Sequence, residues 1–213
     1  MTANKHRTRL GEIFSLAPVI PVITIEDAAA APSLARALVA GGLRTIEITL
    51  RTPAAADAAR AIVAEVPEAI VGIGTVLSPA DYDLAADIGA AFAISPGMSP
   101  ELLAHAAAAN LPFVPGIQTA SDLIACLTRG FELVKFFPAT QAGGLPTIDA
   151  LSGPFPSVRY CPTGGIAESN SALWLAHPKI VAVGGSWIAS KNDIKSGAWS
   201  AIEARARAAT CLR

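Results

Sequence analysis

Eight short β-branched or apolar runs, separated by Ala- and Leu-rich stretches of helical composition, recur along this chain about every 20 to 25 residues. They occupy residues 19–24, 44–50, 70–76, 91–95, 113–115, 133–137, 158–161 and 180–183. Strands alternating with helical segments require parallel pairing, because each crossover returns the chain to the same end of the sheet. Eight βα units is the number that closes a (β/α)8 TIM barrel, and such a barrel needs at least about 200 residues. With 213 residues and no linker or low-complexity break, the expectation is a compact single domain over 1–213, with short loops and a short N-terminal segment. The competing architecture, an open doubly wound sheet, uses about five or six strands and would leave two or three of these runs unassigned. Helix starts are expected at Thr52-Pro53 and at Ser99-Pro100-Glu101, each pairing an N-cap hydroxyl with proline at the first helical position.

Composition narrows the partners. The chain is 52% hydrophobic and 15% charged, with mean hydropathy +0.47, formal net charge −1 and an isoelectric point near 6.3. It can fill one core, but it carries no block of like charge that would mark a nucleic-acid or anionic-membrane surface. A small-molecule substrate is expected instead, with no nucleic acid and no membrane. Basic Lys5, Arg7 and Arg9 precede an apolar stretch at 13–25, as in a signal peptide, but Ser15, Pro18 and Pro21 interrupt that stretch. No apolar run approaches the roughly 18 residues of a spanning helix, so a cytoplasmic location is expected. Cys126, Cys161 and Cys211 fit neither a disulfide framework nor zinc-ligand spacing and are read as reduced thiols.

Lys135 is the only lysine between Lys5 and Lys179, and it stands in the apolar run Phe131-Glu132-Leu133-Val134-Lys135-Phe136-Phe137-Pro138. Desolvation there favours the neutral amine, and an amine able to shed its proton near pH 7 can attack a carbonyl and form a Schiff base. The competing reading is a lysine at a strand end that snorkels to water. The second run alternates: Ile46, Ile48 and Leu50 share one face, and Thr45, Glu47 and Thr49, continued by Arg51, share the other. A carboxylate and an amine at the ends of different strands suit chemistry beside a carbonyl, the amine withdrawing electrons and the carboxylate moving protons. Metal-assisted chemistry would need His and paired carboxylates after strands, whereas His6, His105 and His177 fall elsewhere; catalysis is expected without metal or cofactor.

Two glycine-rich turns follow the last two runs, Cys161-Pro162-Thr163-Gly164-Gly165 and Gly184-Gly185-Ser186. Loops after the seventh and eighth strands of a barrel often form a phosphate site, and glycines let backbone N–H groups approach the anion. Gly72-Ile73-Gly74-Thr75-Val76-Leu77 begins like a dinucleotide fingerprint but has Leu where the third glycine belongs, so no nucleotide is expected. Thr75 remains a candidate hydrogen-bonding group at a strand end.

Taken in order, Glu47-Ile48-Thr49-Leu50-Arg51-Thr52, Gly72-Ile73-Gly74-Thr75-Val76, Ile94-Ser95-Pro96-Gly97, Lys135-Phe136-Phe137-Pro138-Ala139, Cys161-Pro162-Thr163-Gly164-Gly165-Ile166 and Gly184-Gly185-Ser186-Trp187 resemble the 2-keto-3-deoxy-6-phosphogluconate (KDPG) aldolases. That family includes enzymes acting on 4-hydroxy-2-oxoglutarate (KHG). The resemblance implies a class I aldolase on a (β/α)8 barrel, usually a homotrimer. It implies that Lys135 carries the Schiff base, that Glu47 is the general acid and base, and that Arg51 and Thr75 hold the pyruvyl carboxylate. Pro96 and Phe137 would lie against the substrate, while Gly164, Gly165, Gly185 and Ser186 would take the phosphate. Thr163 goes with the gluco-configured substrate, galactonate-specific relatives looking apolar there. A phosphosugar isomerase on the same barrel would share the phosphate turns and the acid/base pair without a covalent lysine. A non-catalytic sugar-phosphate sensor would need only the glycine turns and Arg51.

Overall fold

The computed structural model describes residues 2–212, with side chains from His6 onward. It is an α/β fold whose strands pair only in parallel. The strands are β1 (Val19–Ile23), β2 (Thr45–Thr49), β3 (Ile70–Gly74), β4 (Phe92–Ile94), β5 (Phe113–Val114), β6 (Gly116–Ile117), β7 (Leu133–Phe136), β8 (Arg159–Pro162) and β9 (Val183–Gly185). Six of them form one sheet in the order β5-β4-β3-β2-β1-β9, and β6-β7-β8 form another. Two isolated parallel bridges, Tyr160 to Ile180 and Thr163 to Gly184, connect β8 to the β9 segment. The helices are α1 (Thr2–Ser15), α2 (Ala31–Ala40), α3 (Ala55–Glu65), α4 (Pro79–Ile88), α5 (Pro100–Ala108), α6 (Ala120–Thr128), α7 (Gly144–Ser152), α8 (Glu168–Leu175), α9 (Lys191–Ser196) and α10 (Trp199–Thr210).

Each expected run is found, with three corrections. The fifth run is split at Pro115 into β5, which pairs with β4, and β6, which pairs with β7. Proline offers no N–H to a ladder, so the change of partner falls there. The last strand lies later than 180–183: Val181 donates to Tyr160 O, and the ladder on β1 is made by Val183, Gly184 and Gly185. Gly184 and Gly185, expected in a turn, are therefore strand residues. At Thr52-Pro53 no cap forms. The Thr52 hydroxyl donates to the Ile25 carbonyl, and α3 starts at Ala55 without a side-chain cap. Ser99 does cap α5, accepting from Leu102 N at 3.1 Å.

Period-two alternation divides the core. Val19, Ile46, Ile48, Ala93, Phe113, Val134, Phe136, Tyr160 and Val183 belong to the larger cluster, which includes the apolar faces of α2 through α6. Ile20, Phe92, Ile94, Val114, Cys161 and Ala182 point the other way into a smaller cluster shared with Leu10, Ile13 and Phe14 of α1. The N-terminal segment, expected from sequence only as a short segment before the barrel, is thus a helix with a packing role. Phe14 meets Phe92 edge to face at 5.3 Å, and the Thr45 hydroxyl donates to Ile13 O at 3.3 Å. Phe92 and Thr45 open their strands, so α1 covers the amino ends of the sheet and leaves the carboxyl ends open. Among the described residues no helix is long and apolar enough to cross a membrane.

Because the Phe14 ring is fully buried in that cluster, Phe14→Ala should cost about 3 to 5 kcal/mol in denaturant unfolding. A loss below about 1 kcal/mol would contradict the covering role of α1.

Candidate active site

The polar face of β2 is buried, and each of its groups has a partner. Thr45 is tied to α1, and Thr49 Oγ1 donates to Ile23 O at 2.8 Å while lying 3.1 Å from Thr24 Oγ1. Between them Glu47 Oε1 accepts from Lys135 Nζ at 2.9 Å. Both residues are 2% exposed, which rules out a lysine that snorkels to water. The sequence paired this amine with the Glu47 carboxylate from another strand, and here the two are in direct contact, with the Phe137 ring centroid 5.6 Å from Nζ. Lys135 sits in β7 opposite Gly116 of β6 and Cys161 of β8, which places it on the same face of the strands as Glu47. Burial pushes the Cys161 thiol up to about 12; the Lys135 charge lowers it and the Glu47 charge raises it. The thiol therefore stays protonated beside the pair.

Beyond the strand ends, Arg51 Nε donates to Thr75 Oγ1 at 3.1 Å, joining two residues singled out separately. Thr75 holds φ at +61°, the left-handed region, where a β-branched residue is strained by about 1 to 3 kcal/mol. Pro96 and Phe137 line one cleft of about 360 Å³ together with Gly97, Gly116, Ile117 and Pro138. On β8, Thr163 follows the strand and is buried, and its Oγ1 has no hydrogen-bond partner among the described residues. The Cys161 thiol is near enough to feel that hydroxyl, but the two do not meet hydrogen-bond geometry. Gly164 and Gly165 follow with φ of +100° and +74°, a conformation that favours glycine. The Gly164 carbonyl takes both the N–H and the hydroxyl of Thr140. The bridge from Thr163 to Gly184 brings this turn beside Gly185 and the exposed Ser186.

Two residues escaped the sequence reading. A Cβ at Gly184 would lie 2.2 Å from Thr163 Oγ1, and one at Gly74 would lie 2.1 Å from Glu47 Oε1. The only available signal was Gly72-Ile73-Gly74 itself, whose alternation leaves one strand face bare. Among the described residues no group of three His, Cys, Asp or Glu side chains is gathered as a metal site.

A family model for the KDPG and KHG aldolases matches residues 10–205. The chain belongs to that family. It is 44% identical over 203 residues to the KHG/KDPG aldolase of Escherichia coli K12, covering 95% of each chain. Among solved structures, KDPG aldolase of Legionella pneumophila with pyruvate captured as a covalent carbinolamine superposes with a TM-score of 0.92 at 42% identity, covering 94% of this chain and 97% of that one. The Zymomonas mobilis KDPG aldolase with 3-phosphoglycerate gives 0.89 at 42% identity, covering 95% of each.

The strain at Thr75 is separable from its hydroxyl. Thr75→Gly relieves about 1 to 2 kcal/mol of left-handed cost and gives back about 0.5 to 1 kcal/mol in chain entropy. A net gain of up to about 1.5 kcal/mol is expected in denaturant unfolding, with none for Thr75→Ala, which keeps the Cβ. A clear loss on Thr75→Gly would contradict the strain.

Proposed function

We propose that the protein is a Schiff-base aldolase that reversibly cleaves KDPG to pyruvate and glyceraldehyde 3-phosphate, and cleaves 4-hydroxy-2-oxoglutarate to pyruvate and glyoxylate. The observation that carries this reading is the 2.9 Å contact between Lys135 Nζ and Glu47 Oε1, both out of water. Lys135 adds to the C2 ketone, and loss of water gives the iminium. Glu47, directly or through a water, takes the proton of the C4 hydroxyl as the C3–C4 bond breaks. The bond electrons flow into the iminium to give an enamine, and the aldehyde leaves. Glu47 then returns its proton to the enamine carbon, and hydrolysis frees pyruvate and Lys135. One carboxylate serves both directions, so the cycle needs no metal or cofactor.

Arg51 and Thr75 hold the pyruvyl carboxylate, a role that their 3.1 Å contact at the strand ends supports. Pro96 and Phe137 wall the pyruvyl half. Gly164, Gly165, Gly185 and Ser186 receive the phosphate; the left-handed turn at the first two, bridged to Gly184, supports this. The same reading joins the two sheets into one closed (β/α)8 TIM barrel, with β5 and β6 as halves of its fifth strand and the bridges at Tyr160 and Thr163 as its seam. It takes the enzyme as a cytoplasmic homotrimer, the trimer following from the family and the location from three unpaired cysteines.

Borohydride with pyruvate tests the chemistry. The adduct is expected on Lys135 alone, absent in Lys135→Ala and unaffected by EDTA. Glu47→Gln should still trap pyruvate while cleavage falls about 10² to 10⁴-fold. Adducts on Lys179, Lys191 or Lys195, or near-normal turnover in Glu47→Gln, would overturn the roles. An isomerase or a sugar-phosphate sensor would trap nothing.

The buried, unpartnered hydroxyl of Thr163 favours the gluco substrate over its galacto epimer, because leaving such a group unpaired beside the wrong epimer costs about 1 to 3 kcal/mol. Thr163→Val should narrow the ratio of kcat/KM values for the two epimers. Equal values in the wild type, or an unchanged ratio in the variant, would remove Thr163 from substrate selection.

A further inference from the structure

The Gly72-Ile73-Gly74 run fits no nucleotide motif, yet its two glycines leave one face of β3 bare at successive levels. At the lower level the space above Gly72 is filled by the Phe92 ring, with an added Cβ falling 2.1 Å from it. At the upper level the space above Gly74 is filled by Glu47, with an added Cβ falling 2.1 Å from Oε1, 2.7 Å from Cγ and 2.8 Å from Cδ. Gly74 has no positive φ, so its backbone does not demand glycine. It stands opposite Thr49 in the β2–β3 ladder, and its carbonyl accepts from Leu50 N at 2.9 Å, which pins it in place. The atom that a methyl would strike most closely, Oε1, is the one that accepts from Lys135 Nζ at 2.9 Å.

We infer that Gly74 is a positioning residue for the reaction: its missing side chain is the space through which the Glu47 carboxylate reaches Lys135. This rests on the aldolase reading above. A methyl at 74 collides with three atoms of Glu47, not only with its tip, so the carboxylate must swing away from Lys135 while the amine stays on β7. The consequence is selective. Schiff-base formation at Lys135 survives, and the proton transfers assigned to Glu47 fail, at a loss on the order of 10²-fold for a displacement of about an ångström.

The test compares wild type, Gly74→Ala, Glu47→Gln and the double variant by two readouts: borohydride trapping of pyruvate, and exchange of the pyruvate methyl hydrogens for deuterium followed by NMR. Gly74→Ala is expected to trap pyruvate but to exchange on the order of 10²-fold more slowly, and to cost almost nothing further in the Glu47→Gln background. Equal slowing in both backgrounds, or trapping lost together with exchange, would assign Gly74 a merely structural role and overturn the inference. Should Gly74→Ala not fold, Gly74→Ala/Glu47→Ala decides: a folded double variant locates the collision on Glu47, and an unfolded one refutes it. Wild type that neither traps nor exchanges overturns the aldolase reading itself, and this role with it.

Discussion

A single buried hydrogen bond, Lys135 Nζ to Glu47 Oε1 at 2.9 Å, sets the terms for the rest of this structure. Two ionisable groups withdrawn from water cost several kcal/mol each in desolvation, and their attraction offsets this only when the geometry is good and neighbouring polar groups are satisfied. The surroundings meet that condition. Thr45 and Thr49, above and below Glu47 in sequence, donate to backbone carbonyls, so the polar face of β2 carries no unpaired hydroxyl. Gly74 leaves room for the carboxylate, and Cys161, beside the lysine, is held as a neutral thiol by burial.

The two ends of the strands divide the work. At the amino ends, α1 seals the smaller core with Leu10, Ile13 and Phe14. At the carboxyl ends stand Arg51, the strained Thr75, the unpartnered Thr163 hydroxyl and the left-handed Gly164 and Gly165. The second set is expensive for folding: strain and an unsatisfied buried hydroxyl persist where the scaffold over-determines them. Lys135 and Glu47 lie between the two regimes, both buried at 2% exposure.

Much of this was legible in the residues because it depends on local pattern. Period-two alternation placed Glu47 opposite Ile46 and Ile48, the apolar run marked Lys135, and Ser99 announced α5. What was not legible depends on distant neighbours. The sequence paired Lys135 with Glu47 but did not reveal their direct 2.9 Å contact across 88 residues of chain. Gly184 reads as a turn glycine until Thr163 is found against it, and Gly74 reads as a failed nucleotide motif until Glu47 is found above it. The helix over 2–15 carries Gly11, and packing of Phe14 on Phe92 helps to hold it in place. Thr52 looked like a cap and instead closes a bond to Ile25 on the neighbouring strand segment, a competition that local propensity does not register.

The central claim is that Lys135 and Glu47 act on one substrate in different roles, Lys135 as nucleophile at C2 and Glu47 as proton carrier at the C4 hydroxyl and C3. The most direct measurement is a crystal structure of the protein soaked with pyruvate. The account predicts continuous density from Lys135 Nζ to the pyruvate C2, with the Glu47 carboxylate within hydrogen-bond reach of the adduct and the pyruvyl carboxylate against Arg51 and Thr75. Pyruvate bound without a covalent bond to Lys135, or joined to it with Glu47 turned away beyond reach of the adduct, would contradict it.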